Sequence, residues 1–217
     1  MKIEFSPFME QALLFPPEPI KKSLPNWFKE SDVSAKGHKH NPTAKEMQIN
    51  PNIQAATVKK CIPATDYITS GYVIKNFLDV KITQENIDGK EEVYFWHNTR
   101  IGKPFLDKHA PGQFPGIPDT KQLLKISGVW SIKTPPGYSC LFYQPFYNLE
   151  NRWEFLPAIV DTDSYTNAIS FPFLLSDIPE NTSREIFIPA GEPLVCVFPF
   201  KRDEWTADIK NEVPKKD

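Results

Sequence analysis

The chain has 217 residues, enough to bury one good core, and all-β domains of this size are ordinary, so no second domain is required. Its 25 Lys and Arg against 27 Asp and Glu give a net charge of −2, which removes the electrostatic basis for non-specific nucleic-acid binding and leaves any anionic ligand dependent on local cations. Twenty-two prolines, about twice the usual share of roughly 5%, with only nine glycines, argue against long helices and for short strands joined by rigid connections.

Residues 1–56 read as a proline-rich arm and loop. Phe15-Pro16-Pro17-Glu18-Pro19-Ile20 and Leu24-Pro25-Asn26-Trp27-Phe28 alternate prolines with apolar anchors, which suits an extended arm laid along a surface. Leu13, Leu14, Phe15, Trp27 and Phe28 are costly to leave in water, so the arm packs on its own domain or on a neighbour, and the segment from Leu14 to Phe28 is expected to cross onto a neighbour. Ser31 to Asn52 is polar and loop-like. Its His38 and His40 lack carboxylate or cysteine partners, so no metal site is expected there.

Residues 57–200 carry the strand signals. Thr57 to Ile62, Tyr72 to Ile74 and Phe77 to Ile82 show β-rich patterning, and Asp88-Gly89 before Val93-Tyr94-Phe95-Trp96 is a strong hairpin signal. Gly102 to Pro118 is a proline- and glycine-rich structured loop carrying His109, Gln113 and Gly116, the kind of segment on which binding residues sit. Further strands are expected over Gln122 to Ile126, Val129 to Lys133 and Ser139 to Tyr143, with Trp130, Phe142 and Tyr143 in the core. There is no glycine-rich phosphate loop, Gly-x-Ser-x-Gly, paired CxxC or His-Glu-x-x-His, so the common hydrolase and zinc signatures are absent.

Asp161 and Asp163 admit two readings. As a pair they could hold a cation or a water; alternatively they end a strand and cap a turn. Residues 201–217 form a polar tail, where Lys201 and Arg202 beside Trp205 make either an anion or base-stacking site or a terminal segment docked by Trp205. Cys61, Cys140 and Cys196 are widely spaced, which fits reduced, buried thiols in a cytoplasmic setting. No apolar run near 18 residues and no signal-peptide pattern is present, so no membrane contact is expected.

Three patterns occur in fixed order: Thr134-Pro135-Pro136-Gly137-Tyr138, then Ile159-Val160-Asp161-Thr162-Asp163-Ser164-Tyr165, then Ile188-Pro189-Ala190-Gly191-Glu192-Pro193-Leu194-Val195-Cys196-Val197. With Ser70-Gly71-Tyr72-Val73 before them, they resemble the trimeric dUTPase and dCTP-deaminase superfamily, and the resemblance implies a β-clip fold over residues 57–200. It also implies that Asp161 would orient water and Tyr165 pack on a deoxyribose, with ligands at subunit boundaries of a homotrimer. Several of the family's functional positions differ. Val73 stands where that family has a metal-binding acid, Tyr143-Gln144-Pro145 where it has a phosphate-binding Arg-Ser-Gly, and Cys196 where it has Gln; the glycine-rich terminal arm is missing.

Thr57-Val58-Lys59-Lys60-Cys61-Ile62-Pro63, Trp130-Ser131-Ile132-Lys133-Thr134-Pro135-Pro136-Gly137-Tyr138-Ser139 and Phe198-Pro199-Phe200-Lys201-Arg202 also resemble a family of tailed-bacteriophage proteins of unassigned activity. The expectation is an all-β phage protein, in the host cytoplasm or the virion, with no catalytic residues, cofactor or metal. It would bind a nucleotide-like or other small polar ligand through Asp161, Asp163, Tyr165, His109 and Gln113. The alternatives are a structural or interaction protein of a phage particle, partnered with other particle proteins, and an active nucleotide pyrophosphatase or deaminase.

Overall fold

The computed structural model of the chain describes residues 1–35, 55–97, 105–145 and 152–210, so the His38 and His40 question lies outside the described residues. Asp88 and Gly89 both take positive φ, 51° and 78°, which is what a two-residue primed turn requires. The turn joins β6 (Val80–Ile87) to β7 (Lys90–His97) with Ile87 opposite Lys90, and β15 (Thr182–Ile188) pairs along the other edge of β6. Along β6 the period of two is clean: Val80, Ile82 and Gln84 face inward, while Lys81, Thr83 and Glu85 face outward.

A second antiparallel sheet runs in the order β13 (Ala158–Val160), β11 (Tyr138–Tyr143), β16 (Pro193–Lys201), β5 (Tyr72–Lys75) and β2 (Glu18–Pro19). A third is ordered β12 (Trp153–Phe155), β14 (Phe171–Leu175), β9 (Leu124–Ile126) and β8 (Leu106–Lys108). Two strand pairs complete the described set: β1 (Glu4–Pro7) with β10 (Trp130–Lys133), and β3 (Ser34–Ala35) with β4 (Ala55–Ala56). The chain is therefore all-β, built from short antiparallel strands in open sheets rather than a closed barrel.

The sheets enclose one main core. Ile74, Ile82, Leu124, Ile132, Phe142 and Phe173 are almost wholly buried in it, each such side chain contributing about 1.5–3 kcal/mol. Trp130 and Phe142 lie in this core as expected, and Tyr143 packs partly buried against a smaller cluster.

That smaller cluster corrects the expectation for the arm. Ile20 and Phe28 of the arm are buried against Ile68, Val73 and Cys196 of the same chain, and Glu18 forms a 2.6 Å ion pair with Lys75. Phe15 packs on the main core, so the segment from Leu14 to Phe28 lies on its own chain; Leu14 itself stays exposed.

The segment predicted as a strand over Thr57 to Ile62 is instead a 3-10 turn at Val58–Lys60 followed by an α-helix, Ile62–Thr69. Thr57 caps the turn by accepting from the Lys59 N–H at 3.4 Å, and Pro63 sits in the first helical turn, where its missing N–H is not needed. Cys61 at this junction is exposed, against the expectation of burial, whereas Cys140 and Cys196 are buried. Among the described residues no helix is long and apolar enough to cross a membrane.

Gly128 links β9 to β10 where a Cβ would lie 1.8 Å from the backbone oxygen of Ile169. Gly128→Ala is therefore expected to destabilise the fold by about 3 kcal/mol, the upper range for overpacking. An unchanged denaturation midpoint in urea would show that the backbone there can move aside.

Candidate functional site

Between β8 and β9 the chain winds through successive turns, closed by Gln113 N–H to Ala110 O at 3.1 Å, Ile117 N–H to Phe114 O at 3.0 Å and Lys121 N–H to Pro118 O at 2.9 Å. The ends of the segment are drawn together by His109 N–H donating to Leu123 O at 2.8 Å. It encloses a cavity of about 390 Å³ whose lining includes His109, Pro111, Phe114, Ile117, Gln122 and Leu123. This size is within the range of small-molecule sites.

Two polar groups in this lining have defined orientations. His109 Nδ1 lies 2.8 Å from Gln113 Oε1; with that carbonyl accepting, Nδ1 carries the hydrogen and Nε2 is left as a lone-pair acceptor. Gln122 donates from Nε2 to Glu92 Oε2 at 3.2 Å, which turns its Oε1 away as the second acceptor. Both His109 Nε2 and Gln122 Oε1 are buried and have no hydrogen-bond partner among the described residues. A buried acceptor left unmet costs about 1–3 kcal/mol, so such atoms mark places where a donor belongs.

The loop is braced by a buried polar network. Glu91, 7% exposed, accepts from Gln84 Nε2 at 2.6 Å and from the Gln122 N–H at 2.8 Å, and its own N–H donates to Thr120 O at 2.9 Å. Arg184 of β15 fixes Gln84 from the other side, Nε donating to Oε1 at 2.8 Å. Lys121 reaches Leu175 O at 3.1 Å and pairs with Asp177, with Glu91 at 3.7 Å. Glu91, Gln84 and Gln122 were not singled out in the sequence, where they lie within or beside strand-like runs.

Asp161, Asp163 and Tyr165 are elsewhere, beyond the end of β13. Ser139 Oγ donates to Asp161 Oδ1 at 2.7 Å, and Arg202 Nη1 lies 2.8 Å from the same oxygen. Asp163 accepts from the Gly137 N–H at 2.8 Å and takes two N–H donors of Arg202, one of them at 3.1 Å. The Ser139 hydroxyl and then Arg202 hold the Asp161 carboxyl below its ordinary range; for Asp163 it is Arg202 and then the Gly137 N–H. The arrangement is thus a clasp joining the Pro-Pro-Gly turn, the Asp turn and the start of the tail. Tyr165 is 42% exposed beside it, with its N–H on Asp161 O at 2.9 Å. Trp205 is 89% exposed, which corrects the reading of a tail docked by that ring.

The structure therefore brings Asp161 and Asp163 together with Arg202, and His109 together with Gln113, on separate parts of the chain. Val73, at the position of the resembled family's metal acid, is fully buried, and burial pushes the Cys196 thiol up to about 12, so both are core. Among the described residues no group of three His, Cys, Asp or Glu side chains is placed to hold a metal ion.

No family model matches the chain, and no curated protein does. A solved structure of the dUTPase of Staphylococcus bacteriophage 80alpha is similar over 99% of this chain and 99% of that one, at 9% identity and a TM-score of 0.39. A likeness of this size carries no functional weight.

Because both Asp carboxyls ionise more readily in the fold than in the unfolded chain, the clasp stabilises fully above about pH 4 and weakens as pH falls through the lower folded values. Urea unfolding of the protein should therefore lose stability below about pH 4 more steeply than Arg202→Ala; parallel curves would count against the clasp. Separately, Glu91→Ala is expected to lower the unfolding free energy by about 3 kcal/mol, as for other broken buried charge networks, and to speed limited proteolysis within the cavity loop. Cleavage at the original rate would mean that other contacts hold it.

Proposed function

We propose that the protein is a non-catalytic β module of phage type that binds a small polar ligand in the cavity between β8 and β9. The observation supporting this is the pair of buried, unmet acceptors, His109 Nε2 and Gln122 Oε1, in the lining of one cavity. Gln113 acts by fixing the His109 tautomer. Asp161 and Asp163 serve the module by anchoring Arg202, and Tyr165 offers an exposed ring beside them.

Self-association belongs to the same reading. The dUTPase resemblance suggests a homotrimer with ligands at the subunit boundaries. A second reading, an interaction protein of a phage particle, is favoured by the outward face of β6, β7 and β15. There Tyr94 and Trp96 are each 55% exposed and Phe187 54%. In the strand register Lys81 lies between Trp96 and Phe187, so the two rings flank it in one row.

Native mass spectrometry of protein purified gently from its expressing host is the test. The expected result is a trimer carrying an adduct of reproducible mass that is lost in His109→Ala, with the thermal midpoint unchanged. A bare oligomer would overturn the ligand reading and favour the particle reading.

A further inference from the structure

We infer that the ligand of the 108–123 cavity is an uncharged, planar nitrogen heterocycle bearing an amino group, of the aminated nucleobase class, taken up without recognition of a phosphate. The inference rests on the ligand-binding reading of the same cavity.

Hydrogen-bond polarity carries the first step. Both unmet atoms are acceptors: Nε2 of His109, because Gln113 accepts from Nδ1, and Oε1 of Gln122, because Glu92 accepts from its amide nitrogen. A ligand that satisfies them must present N–H or O–H donors, and a ligand edge of carbonyl oxygens would meet lone pairs with lone pairs.

Charge carries the second. The two lysines of the lining are already engaged, Lys121 with Asp177 and Leu175 O, and Lys108 with Glu92 at 3.7 Å, while Asp119 adds a carboxylate. Among the described residues of the lining no cation is left unengaged for a phosphate, whose recognition rests on charge-assisted bonds. Pro111 and the 52%-exposed Phe114 stand at the cavity's open side, and with Ile117 and the buried Leu123 they offer a cationic ligand no polar replacement for its water. Those same side chains suit the flat faces of a ring, and an amino-substituted heterocycle supplies the donors at its edge.

Isothermal titration of the full chain with adenosine, cytidine, uridine, AMP and choline separates the possibilities. Adenosine and cytidine should bind, and the adenosine analogue with a dimethylated amine should bind about tenfold more weakly or worse, the cost of donors removed from buried acceptors. Uridine, whose single ring donor is flanked by carbonyls, should be weaker by a similar factor, and AMP should gain nothing over adenosine. His109→Ala and Gln122→Ala should each weaken adenosine about tenfold. Unchanged thermal midpoints would exclude unfolding as the cause. Equal binding of uridine, a large gain for AMP, or binding of choline in preference would overturn the inference while leaving a ligand site in place. If no probe binds but a host-derived adduct is still lost in His109→Ala, the inference alone fails. If that adduct is also missing, the ligand-binding reading fails with it.

Discussion

The cavity depends on one buried carboxylate. Glu91 is 7% exposed, so hydrogen bonds must replace the water its side chain has lost, and those bonds come from fixed directions. Gln84 supplies one diagonally across the β6–β7 hairpin, and the Gln122 backbone supplies another from the far end of the loop. Since the Glu91 N–H also holds Thr120 O, a single strand residue fixes both ends of the short run from Thr120 to Gln122. Arg184 then ties Gln84 to Ser176 O, extending the brace into the connection before β15. A loop of turns thereby acquires the rigidity of the sheets beside it, which a binding site needs if its acceptors are to be aimed before a ligand arrives.

What was legible in the sequence was what is decided locally. Asp88-Gly89 specifies its hairpin because both residues tolerate positive φ, and the strands flanking it follow from alternation. Thr57 to Ile62 misled because Val58, Cys61 and Ile62 favour strands. The Thr57 cap and the position of Pro63 decide the matter, and a hydrophobic pattern does not register either. His109 and Gln113 were visible as polar residues four apart on a turn-rich loop, close enough to bond within one turn. Gln122 and Glu91 were not, because their roles come from a contact 31 residues apart in the chain, and both sit in or beside strand-like runs. The same distance problem hid the partner of Arg202, which was visible as a candidate anion site but meets Asp163 from 39 residues away.

The dUTPase-like pattern divides along a physical line. Where it concerns backbone, the geometry of this chain accounts for the residue: Gly71 has φ of 88° and a Cβ there would lie 2.4 Å from Val197 O, so no other residue fits without moving β16. Where the pattern concerns chemistry, the positions hold something else. Val73 and Cys196 are core, and the two aspartates are spent on a guanidinium of this same chain. Two of that guanidinium's N–H groups meet Asp163, and it reaches Asp161 and Ser139 as well, so a ligand competing for the carboxylates must break several charge-assisted bonds at once. The clasp also fixes the point where the chain leaves β16, since residues 201–210 beyond the strand's covered part are all exposed. The two acids hold the chain in place by their pairing with Arg202. The unmet polar atoms of the molecule have to be sought where no such internal partner reaches, and the His109 and Gln122 acceptors satisfy that condition.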